Sequence, residues 1–150
     1  MMRAEWIFVL FAFTAGVAVP IQFAVNAGLR GAVGGPITAA AISFLVGTLA
    51  LFVAVLAARE GAPNVAGLSE APWWVWAGGF LGAFYVFASI ILTPRIGAAS
   101  TVGFVIAGQM VASIVLDQFG LLNLPVNPIS FPKIAGAVLI IAGAILVPRS

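Results

Sequence analysis

Residues 36–58, PITAAAISFLVGTLALFVAVLAA, run for 23 positions without a charge. As a helix they would rise about 34 Å, enough to cross the roughly 30 Å hydrocarbon core of a bilayer. Pro36 opens the run where a missing N–H costs nothing, and Arg59-Glu60-Gly61-Ala62-Pro63-Asn64 closes it with a polar break. The stretch predicts a membrane-spanning helix.

Working outward, the rest of the chain repeats the pattern. Trp6 begins a run that lasts to about Gly28, read as a span rather than a signal peptide because it continues past the small residues 14–18. Beyond the polar break, runs cover 73–92 and 98–116, separated by Thr93-Pro94-Arg95-Ile96-Gly97, which reads as a tight turn. After Asp117-Gln118-Phe119-Gly120 comes a segment too proline-rich for a helix interior, and then a short last run, 131–147. The expected fold is therefore an all-α membrane protein. It has five spans (6–28, 36–58, 73–92, 98–116 and 131–147) in a single membrane domain over residues 1–150. Trp6, Trp73, Trp74 and Trp76 all stand where a run begins, the place of interfacial anchors.

Composition agrees. Apolar residues make up 63% of the chain and charged residues 7%, against about 25% charged in soluble domains. Six basic and four acidic residues leave a net +2, scattered one per loop, so no basic patch invites nucleic acid. With no His and no Cys, thiol and imidazole catalysis, zinc sites and disulfides are excluded. No nucleophile–base pair or metal-ligand cluster is visible, so neither a catalytic centre nor a cofactor or metal is expected. The bilayer itself is the first partner.

Five alternating spans place Arg3, Arg59 and Lys133 on one membrane face and Arg30, Arg95 and Arg149 on the other. Orientation normally follows an excess of Lys and Arg in cytoplasmic loops, and here there is none. The balance is either an accident of small numbers or the mark of a chain inserted both ways. All four acids fall on the first face.

Polar groups inside the runs single out a site, because lipid-buried polar side chains usually face a bundle interior or a cavity. Gln22 and Asn26 are four apart on one helix face. Pro20 leaves the Gly16 carbonyl without its helical partner, so Gly16 and Pro20 read as a hinge. Tyr85 is the central polar group of its run, Gln109 sits near the middle of the fourth, and Ser113 follows one turn later. Gln22, Asn26, Tyr85, Gln109 and Ser113 are the expected substrate-binding residues. The alternative is that Gln22 and Asn26 only hydrogen-bond a neighbouring helix. Ala39, Ser43 and Gly47, with Gly136 and Gly143 in the last run, form small-residue faces suited to helix packing. No carboxylate stands mid-run, and on the expected boundaries no Arg is intramembrane, which favours a neutral or zwitterionic substrate or a cation held by aromatic faces.

Several of these stretches together resemble the YdcZ family of bacterial inner-membrane exporters. The resemblance rests on Pro20-Ile21-Gln22, Asn26-Ala27-Gly28-Leu29-Arg30, Gly35-Pro36 with Ser43 to Leu51, Pro72-Trp73-Trp74, Gly78-Gly79, and Gly82 to Val86. Pro94-Arg95-Ile96-Gly97-Ala98-Ala99, Gly108-Gln109 and Asp117-Gln118-Phe119-Gly120 complete it. Gln118 departs from the pattern, since the family often has His there. The resemblance implies a drug/metabolite-transporter architecture in which a five-helix chain is similar to one half of a ten-helix bundle, with the site near the midplane between inverted halves. The function so implied is a small inner-membrane exporter. It would move a small polar or amphipathic metabolite by alternating access as an antiparallel homodimer. A passive channel for a small ion or solute, or a non-transporting membrane scaffold, is the alternative.

Overall fold

The computed structural model describes residues 2–61 and 65–147. The side chains of Arg3 and Glu5, the 62–64 part of the polar break, and Arg149 lie outside the described residues. All the described regular structure is helical: α1 (Met2–Val33), α2 (Pro36–Ala58), α3 (Val65–Glu70), α4 (Ala77–Ile96), α5 (Ala98–Phe119) and α6 (Phe131–Leu146). Short 3₁₀ turns at Trp73–Trp76 and Leu121–Asn123 lead into α4 and out of α5.

Four segments are long and apolar enough to cross a membrane: Trp6–Val33, Pro36–Ala58, Trp73–Ile96 and Ala98–Phe119. Phe131–Leu146 is apolar but shorter. Helices are what lipid permits, because a main chain in hydrocarbon must satisfy its polar groups internally.

Three boundaries correct the sequence reading. α1 continues beyond Gly28 to Val33 and ends at Gly34, whose φ of +81° only glycine adopts without strain. Arg30 is consequently inside the helix and half-buried, in the last turn of a segment long and apolar enough to span. The expected turn at 93–97 is narrower, since α4 passes through Pro94 and breaks only at Gly97. Pro94 interrupts a single main-chain bond, and neighbouring groups make good that loss in a membrane helix. The segment between α2 and the Trp73 turn also contains a short helix, α3.

The chain forms two compact units. One comprises Phe23–Ile91, the other Met1–Gln22 with Leu92–Ser150. In the first, Ala39, Ala40, Val86 and Ile90 form a buried cluster on which Leu29, Val33, Tyr85 and Phe87 pack. In the second, α5 and α6 lie together, and a Cβ on Gly103 would stand 3.4 Å from both Cα and Cβ of Ala144. Gly120 ends α5 at φ +59°, where a Cβ would fall 2.7 Å from Val126 Cγ2.

Helix α6 presents Ala137 and Ala144, not its glycines, to the interior: nothing lies within 4 Å of a Cβ placed on Gly136 or Gly143. Gly103→Leu should therefore cost about 1–3 kcal/mol through overpacking, read as a lower melting temperature in detergent. Gly143→Leu, with open space around it, should leave that temperature nearly unchanged. Equal effects of the two would contradict this packing.

Candidate functional site

In the unit Phe23–Ile91, the C-terminal third of α1 carries Phe23, Asn26 and Arg30. At 3.6 residues per turn these fall within an arc of about 60°. Phe23 is fully buried, and its ring lies 5.6 Å from that of Tyr85, tilted by 55°. Asn26 is 3% exposed, yet its Nδ2 has no hydrogen-bond partner among the described residues. An unmet buried donor costs about 1–3 kcal/mol.

Arg30 Nη1 donates to the Ile90 carbonyl over a long 3.5 Å. That carbonyl is free because its helical partner would have been the N–H of residue 94, a proline. The contact was within reach of sequence reasoning, since a proline inside a helix always names an orphan four residues earlier. No carboxylate pairs with Arg30 among the described residues. Ser89 is buried and donates to the Val86 carbonyl at 2.8 Å.

In the other unit, Gln22, Gln109 and Ser113 are exposed. Neither glutamine side chain makes a hydrogen bond among the described residues, while Ser113 Oγ donates to the Gln109 main-chain carbonyl at 2.7 Å. Of the buried polar groups here, Thr101 Oγ1 bonds the Gly97 carbonyl at 2.8 Å, and Thr93 Oγ1 has no partner among the described residues. At the end of α5, Lys133 Nζ reaches Asp117 Oδ2 and the Asn127 carbonyl, each at 2.9 Å, and Gln118 Oε1 accepts from the Ile129 N–H. These bonds tie the proline-rich connection to both helices it joins. Asp117 is thus a structural anchor.

The two units divide the five expected site residues, three against two. Gly16 is exposed and Pro20 half-buried; both lie just before the place in α1 where one unit gives way to the other. Ala39 is fully buried in the core cluster, Ser43 is partly covered, and Gly47 is open. Between α2 and α4, Phe44, Phe80, Phe84 and Phe87 line an apolar groove of about 530 Å³. Among the described residues no group of three potential metal ligands occurs.

A family model described as "Putative inner membrane exporter, YdcZ" matches residues 7–146. The inner membrane protein YdcZ of Escherichia coli (strain K12) is 33% identical over 140 residues, covering 93% of each chain. No solved structure matches the chain significantly.

The ring contact and the hydroxyl of Tyr85 are separable. Tyr85→Phe should keep the melting temperature, whereas Tyr85→Leu should lose the ring pair, worth about 0.5–1.5 kcal/mol beyond the area it buries. Thermal unfolding in detergent checks both, and an equal loss in Tyr85→Phe would mean that the hydroxyl holds the fold.

Proposed function

The chain belongs to the YdcZ family of inner-membrane exporters, and from that premise we propose that two copies, inverted relative to each other, carry a small polar or amphipathic metabolite across the inner membrane by alternating access. The family is one of transporters, not of enzymes. The observation that carries the reading is the exposure of Gln22 and Gln109. Gln109 lies eleven residues from the start of α5 and ten from its end, and Gln22 is within a turn of the centre of Trp6–Val33. In a lone copy both amides would face hydrocarbon at mid-depth. An amide left unbonded there costs roughly 2–7 kcal/mol. A second copy covering these faces removes that cost and supplies the other half of a polar path.

The inverted arrangement draws on the charge balance and on the number of spans. Three basic residues on each face leave insertion undirected. With α6 crossing as a fifth span, the two ends of the chain fall on opposite sides, and an antiparallel pair makes ten helices about a two-fold axis in the membrane plane. Helix α6 has 16 residues, about 24 Å, so it crosses as the shortest member of the bundle.

In this reading Gln22, Asn26, Tyr85, Gln109 and Ser113 line the substrate path. Gly16 and Pro20 serve as the hinge, since the division between the two compact units crosses α1 just after Pro20. The open faces at Gly47, Gly136 and Gly143 accept the partner's helices.

Counterflow in proteoliposomes tests the function. Gln22→Leu and Gln109→Leu should each cut flux at least tenfold, or about 1.4 kcal/mol or more, without loss of the dimer. Ion conductance without counterflow would make the protein a channel instead. Orientation has its own test, because the chain has no cysteine. In Glu70→Cys, an impermeant maleimide should label about half the molecules from each side; labelling from one side only would exclude dual insertion.

A further inference from the structure

The C-terminal third of α1 carries polar groups with hydrogen-bonding capacity to spare. Asn26 Nδ2 is a buried donor with nothing to bond. Arg30 spends one of its five N–H donors on a long contact with Ile90 and has no described carboxylate beside it. Asn26 and Arg30 are four residues apart and share a helix face, as an ion-pairing couple would. The only acids in the unit Phe23–Ile91 are Glu60 and Glu70, beyond the opposite end of α2. One turn deeper than Asn26 stand the Phe23 and Tyr85 rings. A cation with no described acid beside it, next to an amide with a free buried donor, favours an acceptor that is negatively charged.

We propose that this face binds a small amphipathic organic anion, its carboxylate between Arg30 and Asn26 and its apolar or aromatic body directed toward the Phe23–Tyr85 pair. The assignment rests on the transporter reading only in naming the cargo, and binding can be measured without transport. It also replaces the neutral or zwitterionic substrate expected from the sequence, because that expectation placed Arg30 beyond the end of its helix. A guanidinium and an amide aimed at one carboxylate form charge-assisted bonds about twice as strong as neutral ones. The carboxylate in turn relieves the buried Asn26 donor.

The test uses the full chain in nanodiscs of phosphatidylcholine, whose zwitterionic headgroups leave Arg30 without anionic lipid. Phenylacetate, phenylacetamide and phenethylamine have the same ring and differ in charge. Calorimetric titration should show phenylacetate binding on the order of tenfold or more tightly than either of the others. Arg30→Gln should erase that preference, and Arg30→Lys should retain part of it.

Asn26→Asp is the sharper variant. Its own carboxylate would occupy the place of the ligand's, so phenylacetate binding should vanish while the melting temperature of the ligand-free protein rises. A purely structural asparagine would give the reverse, a lower melting temperature with binding intact. Equal affinity for the three probes, no binding at millimolar concentration, or an unchanged preference in Arg30→Gln would overturn the proposal. Tight phenylacetamide binding with counterflow of neutral solutes would remove the anion and leave the transporter standing. Phenylacetate binding without any counterflow would keep the site and remove the transporter.

Discussion

Every main-chain amide that enters hydrocarbon must find its partner inside the protein, and this constraint shapes the chain more than any side chain does. It makes each span a helix and restricts breaks to places where another group can step in. Pro94 shows the rule at work. By removing one N–H it releases the Ile90 carbonyl, and Arg30 supplies the replacement from a different helix. A long-range polar contact in the unit Phe23–Ile91 thus begins as the repair of a proline.

Side chains then decide which helices meet. Water provides no drive between helices in lipid, so close approach depends on small residues and on polar bonds. The buried cluster is modest in volume, with two alanines, a valine and an isoleucine at its centre. Gly103 against Ala144 is the equivalent in α5 and α6. Because α1, α2, α4 and α5 are apolar on all sides, a polar atom on them is informative wherever it lies. A buried one such as Asn26 Nδ2 carries an unmet bond, and an exposed one such as Gln109 carries a desolvation cost in lipid.

Much of this was legible in the sequence, and the failures have a common cause. The run 36–58 appears as α2 with the same ends, since Pro36 and the polar residues after Ala58 are unambiguous punctuation. Asn26 and Tyr85 could be named because an amide or a phenol in an apolar run has few reasons to be there. Boundaries at charged residues were misjudged. Arg30 was read as the end of a span, yet its long side chain lets the helix continue to Val33 while the guanidinium bonds a carbonyl. Pro94 was read as a stop, yet a membrane helix tolerates one lost bond when a donor is nearby. Within the small-residue face of α6, which takes in alanines 135, 137, 142 and 144 beside Gly136 and Gly143, it is Ala137 and Ala144 that are buried. Periodicity alone cannot choose between adjacent small residues on a helix that is apolar all round.

The unequal lengths of the helices tie the protein to its solvent. The apolar part of α1 runs for 28 residues and α6 for only 16, or about 42 Å against 24 Å. No single bilayer matches both. The long helix must lean to fit, at a fraction of a kcal/mol for each ångström of misfit, and the short one falls below the thickness of the hydrocarbon core. Thickness then becomes a thermodynamic variable of the protein. Shorter or longer lipid tails change that misfit, and any conformation that changes the lean of α1 is favoured or opposed by the membrane in which it occurs.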